Sequence, residues 1–135
     1  MKKLFFILGE DNAQSLTDEE KNYLIGFEIK GMRFALERPE TLLDIEEAEA
    51  AKKETEQKLP GKLMLPDIDE CQLLHRNFTE VNRFLEVLGR PLLEKGDYWT
   101  SVKTSGENYL DFDMRQGGWY AESPKTKNRV VYCFV

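Results

Sequence analysis

The side chains best suited to covalent or metal chemistry in this chain are one histidine, His75, and two cysteines, Cys71 and Cys133. Their spacing supports neither chemistry. The cysteines stand 62 positions apart, and no further Cys or His falls at a metal-ligand interval. That argues against zinc and leaves both thiols as small buried apolar groups. A lone Cys71–Cys133 pair does not define a disulfide framework either. His75 lies on a predicted helix without a Ser, Cys or carboxylate partner at a catalytic interval, which gives it a surface or capping role. No Ser-His-Asp set, working carboxylate pair or phosphate loop stands out. The chain therefore reads as a non-enzyme with no cofactor and no metal.

The remaining chemistry is recognition. Both Trp and four of the five Tyr fall in the last 39 residues, as Tyr98, Trp99, Tyr109, Trp119, Tyr120 and Tyr132. These side chains offer large, stiff, amphipathic contact area, and β-strands also favour them as core. Alternation sorts them. Over residues 108–115 the apolar parity is Leu110, Phe112 and Met114, so Tyr109, Asp111, Asp113 and Arg115 share the face expected to meet solvent. Trp119 and Tyr120 follow the Gly117-Gly118 turn, so one of the two must point away from the core. The candidate contact set is thus Tyr109, Asp111, Asp113, Arg115, Trp119 and Tyr120. Trp99 is expected in the core, because Tyr98, Thr100 and Val102 share the other parity.

Composition narrows the partners. The 135 residues carry 25 acidic and 19 basic side chains, a net charge of -6, and are 41% hydrophobic. One folded domain spanning residues 1–135 is expected, with a core that needs no metal or disulfide. Clustered Lys and Arg are missing, which argues against nucleic acid and anionic membrane as partners. The charge is uneven: residues 97–135 hold five acids and five bases, whereas residues 1–96 hold twenty and fourteen. The head Met1-Lys2-Lys3 and the run Leu4–Leu8 imitate an export signal, but Gly9-Glu10-Asp11-Asn12 ends the run after five residues. Lys2–Leu8 is read as a strand, residues 1–22 as an extension carrying it, and the cytoplasm as the default compartment, with an extracellular or surface location left open.

Several elements must position the aromatic region. Tyr23–Leu36 alternates about Lys30-Gly31 and predicts a hairpin. Asp44 followed by Glu47 opens a helix with an Ala-rich stripe, and Asp67 followed by Glu70 opens a second. Val81, Phe84, Leu85 and Leu88 give a third helix, beginning at Thr79 and ended by Gly89. Strands are expected at Tyr98–Lys103, Tyr109–Arg115 and Arg129–Val135, the last apolar on both parities and so covered on both sides.

Leu65-Pro66-Asp67-Ile68-Asp69-Glu70, Tyr98-Trp99-Thr100-Ser101, Tyr109–Trp119 and Arg129–Cys133 together resemble the small bacterial C-type-lectin-like domains, over about residues 23–135. The resemblance implies an α+β fold, a C-type-lectin-like fold of short antiparallel sheets, two or three flanking helices and irregular loops, to which Lys2–Leu8 would add an edge strand. It also implies a binding role for the C-terminal region, where relatives present variable loops. The departures matter. The Glu-Pro-Asn and Trp-Asn-Asp tripeptides of calcium-dependent sugar binding are missing, and the usual lectin bridge is half absent, since only Cys133 resembles one of its cysteines. Formylglycine-generating enzymes share the fold but use a cysteine pair not found here.

Two functions follow. The first is a calcium-independent recognition module for a protein or carbohydrate. The second is a structural or assembly subunit of a phage or cell-surface structure that pairs with a second copy through the Lys2–Leu8 edge.

Overall fold

The computed structural model describes residues 2–135. In chain order these form β1 (Phe5–Ile7), a 3-10 turn (Ala13–Ser15), α1 (Asp18–Tyr23), β2 (Gly26–Ile29), β3 (Met32–Ala35), α2 (Ile45–Glu56), β4 (Leu63–Met64), α3 (Ile68–Arg76), α4 (Phe78–Leu88), β5 (Asp97–Lys103), β6 (Tyr109–Asp113), β7 (Trp119–Glu122) and β8 (Cys133–Phe134). They build two sheets, a five-stranded one in the order β1-β2-β3-β8-β4 and a three-stranded one in the order β5-β6-β7.

Local chemistry explains most boundaries. Thr17, Asp44 and Asp67 each accept a bond from the backbone three residues on, where Glu20, Glu47 and Glu70 reach back to the cap. Each pair satisfies two otherwise orphaned amides at a helix start. Gly89 ends α4 with φ at 70°, a left-handed conformation that costs glycine little. The β2–β3 turn is also left-handed at Lys30 (φ 49°) and Gly31 (φ 85°), the twist a two-residue hairpin requires.

Burial of apolar side chains then assembles two cores. The larger joins Phe6, Phe27 and Phe34 of the five-stranded sheet to Leu74 of α3 and Val81, Phe84 and Leu85 of α4. Phe6 and Phe84 stack at 4.2 Å. The smaller joins Ile45 and Ala48 of α2 to Trp99, Val130 and Tyr132. Tyr132 keeps its hydroxyl satisfied by donating to the Ala48 carbonyl at 2.7 Å. The β5–β6 pair lies between the two: Tyr98, Phe112 and Met114 belong to the larger core and Trp99 to the smaller.

Four expectations change. Lys2–Leu8 does supply an edge strand, but only Phe5–Ile7 is strand, and it runs parallel to β2. Tyr23 belongs to α1 and not to the hairpin, because the Thr17–Glu20 capping box starts a helix there. Tyr109–Arg115 is strand only as far as Asp113, where the chain turns. The last segment is strand only at Cys133–Phe134, since its earlier part docks by single bridges and leaves the sheet ladder, as where Arg129 meets Tyr98. The doubly covered character is nevertheless real: Val130 to Cys133 are all buried.

Replacing Phe112, fully buried, by Ala should cost about 3–5 kcal/mol of stability. Trp119→Ala, at an exposed strand start, should cost under about 1 kcal/mol. Urea melts of the two variants measure the contrast.

Candidate functional site

The β6–β7 hairpin carries the candidate residues, and its register fixes their faces. Asp111 pairs with Tyr120 and Phe112 with Trp119, so neighbours along β7 point to opposite sides. Both are exposed, Trp119 at 47% and Tyr120 at 55%. The expectation that one of them would be core does not hold, because β7 lies at the rim of its sheet where neither side is covered. The Tyr120 ring folds back across Gly118, whose added Cβ would stand 3.5 Å from the Tyr120 hydroxyl.

Asp111 and Asp113 are a correction. Alternation placed them in solvent with Tyr109 and Arg115, yet Asp111 is 1% exposed and Asp113 6%. The cause is tertiary. A strap formed by the residues around Leu43 and the segment 124–130 crosses this face of the sheet. Leu43 and Asn128 exchange backbone bonds at 2.8 and 2.9 Å. The Trp99 indole N–H donates to the Leu43 carbonyl at 2.8 Å, and the Asn128 amide donates to Asp111 Oδ2 at 3.2 Å. Tyr109 is half-buried against the same core, edge-on to Trp99 at 6.4 Å. Only Arg115, Trp119 and Tyr120 of the six present themselves freely.

The tip is held from below. Asp113 Oδ1 accepts from the Arg115 backbone N–H and from its Nε, both at 2.9 Å. Burial pushes the Asp113 carboxyl up, but those bonds outweigh it and hold the group below the usual carboxylate range. Arg115 also reaches Asp97 at 3.4 Å. His75, expected in a surface or capping role, is half-buried on α3 under this turn. Its Nδ1 is 2.9 Å from the Met114 carbonyl, and its ring lies edge-on to Phe112. A Cβ at Gly117, where φ is 84°, would come within 3.0 Å of His75 Nε2. No sequence signal marks this contact, since the partners are 39 positions apart.

Chemistry elsewhere is sparse. Among the described residues no group of three or more His, Cys, Asp or Glu is placed to hold a metal ion. Cys71 and Cys133 are free and buried. Burial, with nearby acids in support, pushes both thiols up, which makes them poor nucleophiles. An open cleft of about 930 Å³ lies away from the hairpin, between the β1 segment and α4, floored by Phe6, Leu8, Ile29 and Phe84.

Asp111 is the group most out of balance. Its Oδ1 is buried without a hydrogen-bond partner among the described residues. Burial first, then the charges of Asp97 and Glu122, push its carboxyl up to about 6 against the opposing bonds from Asn128 and from its own backbone. The unfolded chain ionises near 3.9, so between those values the fold holds a proton that the unfolded chain has released. The penalty for ionising Asp111 is therefore fully present above about pH 6 and is relieved as pH falls toward about 4. The carboxyls held low, such as Asp113 and Glu47, lose their contribution only below the ordinary range. Stability should accordingly rise by about 1–2 kcal/mol from about pH 7.5 to about pH 5, and Asp111→Asn should flatten that rise. Thermal or urea melts across the interval test it.

No protein-family model matches the sequence, and no curated protein matches it. Among solved structures, the chain is similar to the Yersinia pseudotuberculosis adhesin InvE, with a TM-score of 0.52 and 14% identity over 82% of this chain. The match spans 34% of that adhesin, so this chain covers about a third of its length. The likeness is one of fold. Together with the two small sheets and flanking helices, it makes the architecture α+β and C-type-lectin-like, as the motifs implied.

Proposed function

We propose that this chain is a non-catalytic recognition module that binds a protein or carbohydrate, without calcium, through Arg115, Trp119 and Tyr120. The observation that carries the reading is the exposure of two large aromatics and a guanidinium on a hairpin whose β6 strand is buried from Asp111 to Asp113. Binding energy concentrates in such Trp, Tyr and Arg side chains, and a stiff base lowers the ordering cost of using them. Asp111 and Asp113 serve as its supports: Asp113 orients Arg115, and Asp111 pairs with Tyr120 across the β6–β7 ladder and is held by Asn128 of the strap. Tyr109 stiffens the hairpin from its half-buried face. The fold's likeness to an adhesin domain supports a binding role and a surface-associated setting for the module.

The test is a glycan array together with a partner pull-down, run on the wild type and on Trp119→Ala and Tyr120→Ala. Each substitution should weaken the captured interaction at least about tenfold while leaving the melt nearly unchanged. Binding that survives both substitutions puts the contact on another surface and refutes the assignment.

A further inference from the structure

An unpaired strand edge presents a row of backbone donors and acceptors to any passing strand, and folded proteins ordinarily obstruct such edges. Among the described residues, three of the four sheet edges are obstructed at one or more of their outward backbone groups. On β1 the outward Ile7 N–H donates to the Asp11 carboxylate at 2.7 Å, and the Ile7 carbonyl accepts from Glu10 and Asp11. On β4 the Leu63 N–H donates to Glu56 Oε2 at 2.7 Å. Along β5, Trp99 donates to the Arg129 carbonyl at 3.0 Å, Asp97 accepts from Arg129 and Ser101 donates to Pro66. The β1 edge, expected from the sequence to pair with a second copy, is thus closed at Ile7 by its own following turn, while the outward groups of Phe5 have no partner among the described residues.

The β7 edge is different. Among the described residues β7 pairs only with β6. The Asp113 N–H to Gly118 carbonyl bond at 2.8 Å sets the phase of the ladder. Residues 118, 120 and 122 therefore turn their backbone groups toward β6, and Trp119 and Ala121 turn theirs outward. The next outward carbonyl, at Ser123, is taken by the Thr126 N–H. Among the described residues, the N–H and C=O of Trp119 and of Ala121, four backbone groups, remain free.

We infer that β7 pairs antiparallel with β7 of a second copy of this chain, joining two three-stranded sheets into one of six strands. The free groups fix the register. All four are used on both chains only when Trp119 of one copy faces Ala121 of the other, which gives four hydrogen bonds and puts Tyr120 opposite Tyr120 on the two-fold axis. That register sets a large side chain beside a small one on one face. On the other face it brings Glu122 opposite the partner's Gly118, on the side where Arg115 sits over Asp113. Glu122 makes no ion pair among the described residues, so the two copies can exchange Glu122–Arg115 attractions reciprocally. Side chains stay on the sheet faces, so the two Trp119 lie on the Phe112 face and the two Tyr120 meet at the two-fold axis on the Asp111 face. The pairing is independent of the ligand assignment, because a monomer would still present Arg115, Trp119 and Tyr120.

Sedimentation or light scattering from micromolar to millimolar concentration should show the mass rising toward twice that of the monomer. Ala121→Pro removes an outward N–H, keeps the β6–β7 ladder and both aromatics, and should raise the dissociation constant at least about tenfold. Hydrogen exchange gives a readout that does not depend on how the Pro variant folds. In the wild type the Trp119 and Ala121 amides should become protected only as concentration rises, while those of Tyr120 and Glu122 are protected throughout. A mass that stays monomeric at all concentrations overturns the inference. So does a dimer in which the Trp119 and Ala121 amides still exchange as fast as in dilute solution.

Discussion

The structure depends on the central stretch of the β5–β6 pair, Tyr98–Thr100 and Asp111–Asp113, being buried on both faces. One face joins the large core through Tyr98, Phe112 and Met114, and the other is sealed by a strap that Trp99 holds through its indole N–H. A strand pair covered on both sides needs an answer for every polar group it carries. Thr100 donates to the Leu110 carbonyl, Asp113 takes Arg115, and Asn128 serves Asp111, which alone keeps an oxygen unmatched. The buried pair thereby becomes a fixed mount from which the β6–β7 tip projects.

That mount explains why so small a fragment of exposed surface is of interest. Loop tips in a domain this size ordinarily fray, whereas this one is tied by Asp113 and by the His75 contact to the Met114 carbonyl. Order at the tip comes from helix α3 and the strap together. Sequence-distant segments converge on one turn, and the aromatic pair at the rim inherits their rigidity.

The likeness to an adhesin domain at 14% identity is intelligible on the same terms. What two such chains need in common is the pattern of burial around the central strands and the caps that start the helices. Many different side chains satisfy both requirements. Motif tripeptides for calcium are separable from that frame, so their absence leaves the fold intact.

The sequence by itself determined whatever is decided within a few residues. Three capping boxes, the Lys30-Gly31 turn, the Gly89 stop and the apolar stripe of α4 are local, and two of the three boxes, with the turn, the stop and the stripe, were legible as written. The third box, Thr17 with Glu20, has the same spacing and was masked only by the apolar residues that follow it. The exposure of Arg115, Trp119 and Tyr120 was half legible, because a turn rich in glycine announces a rim. The burial of Asp111 and Asp113 was not, since alternation reports that two faces differ and cannot report that a strap from residues 43 and 128 lies over the polar one. The role of His75, the short last strand and the open β7 edge are of the same kind. Each depends on a partner many positions away, and only the tertiary structure brings those partners within bonding distance.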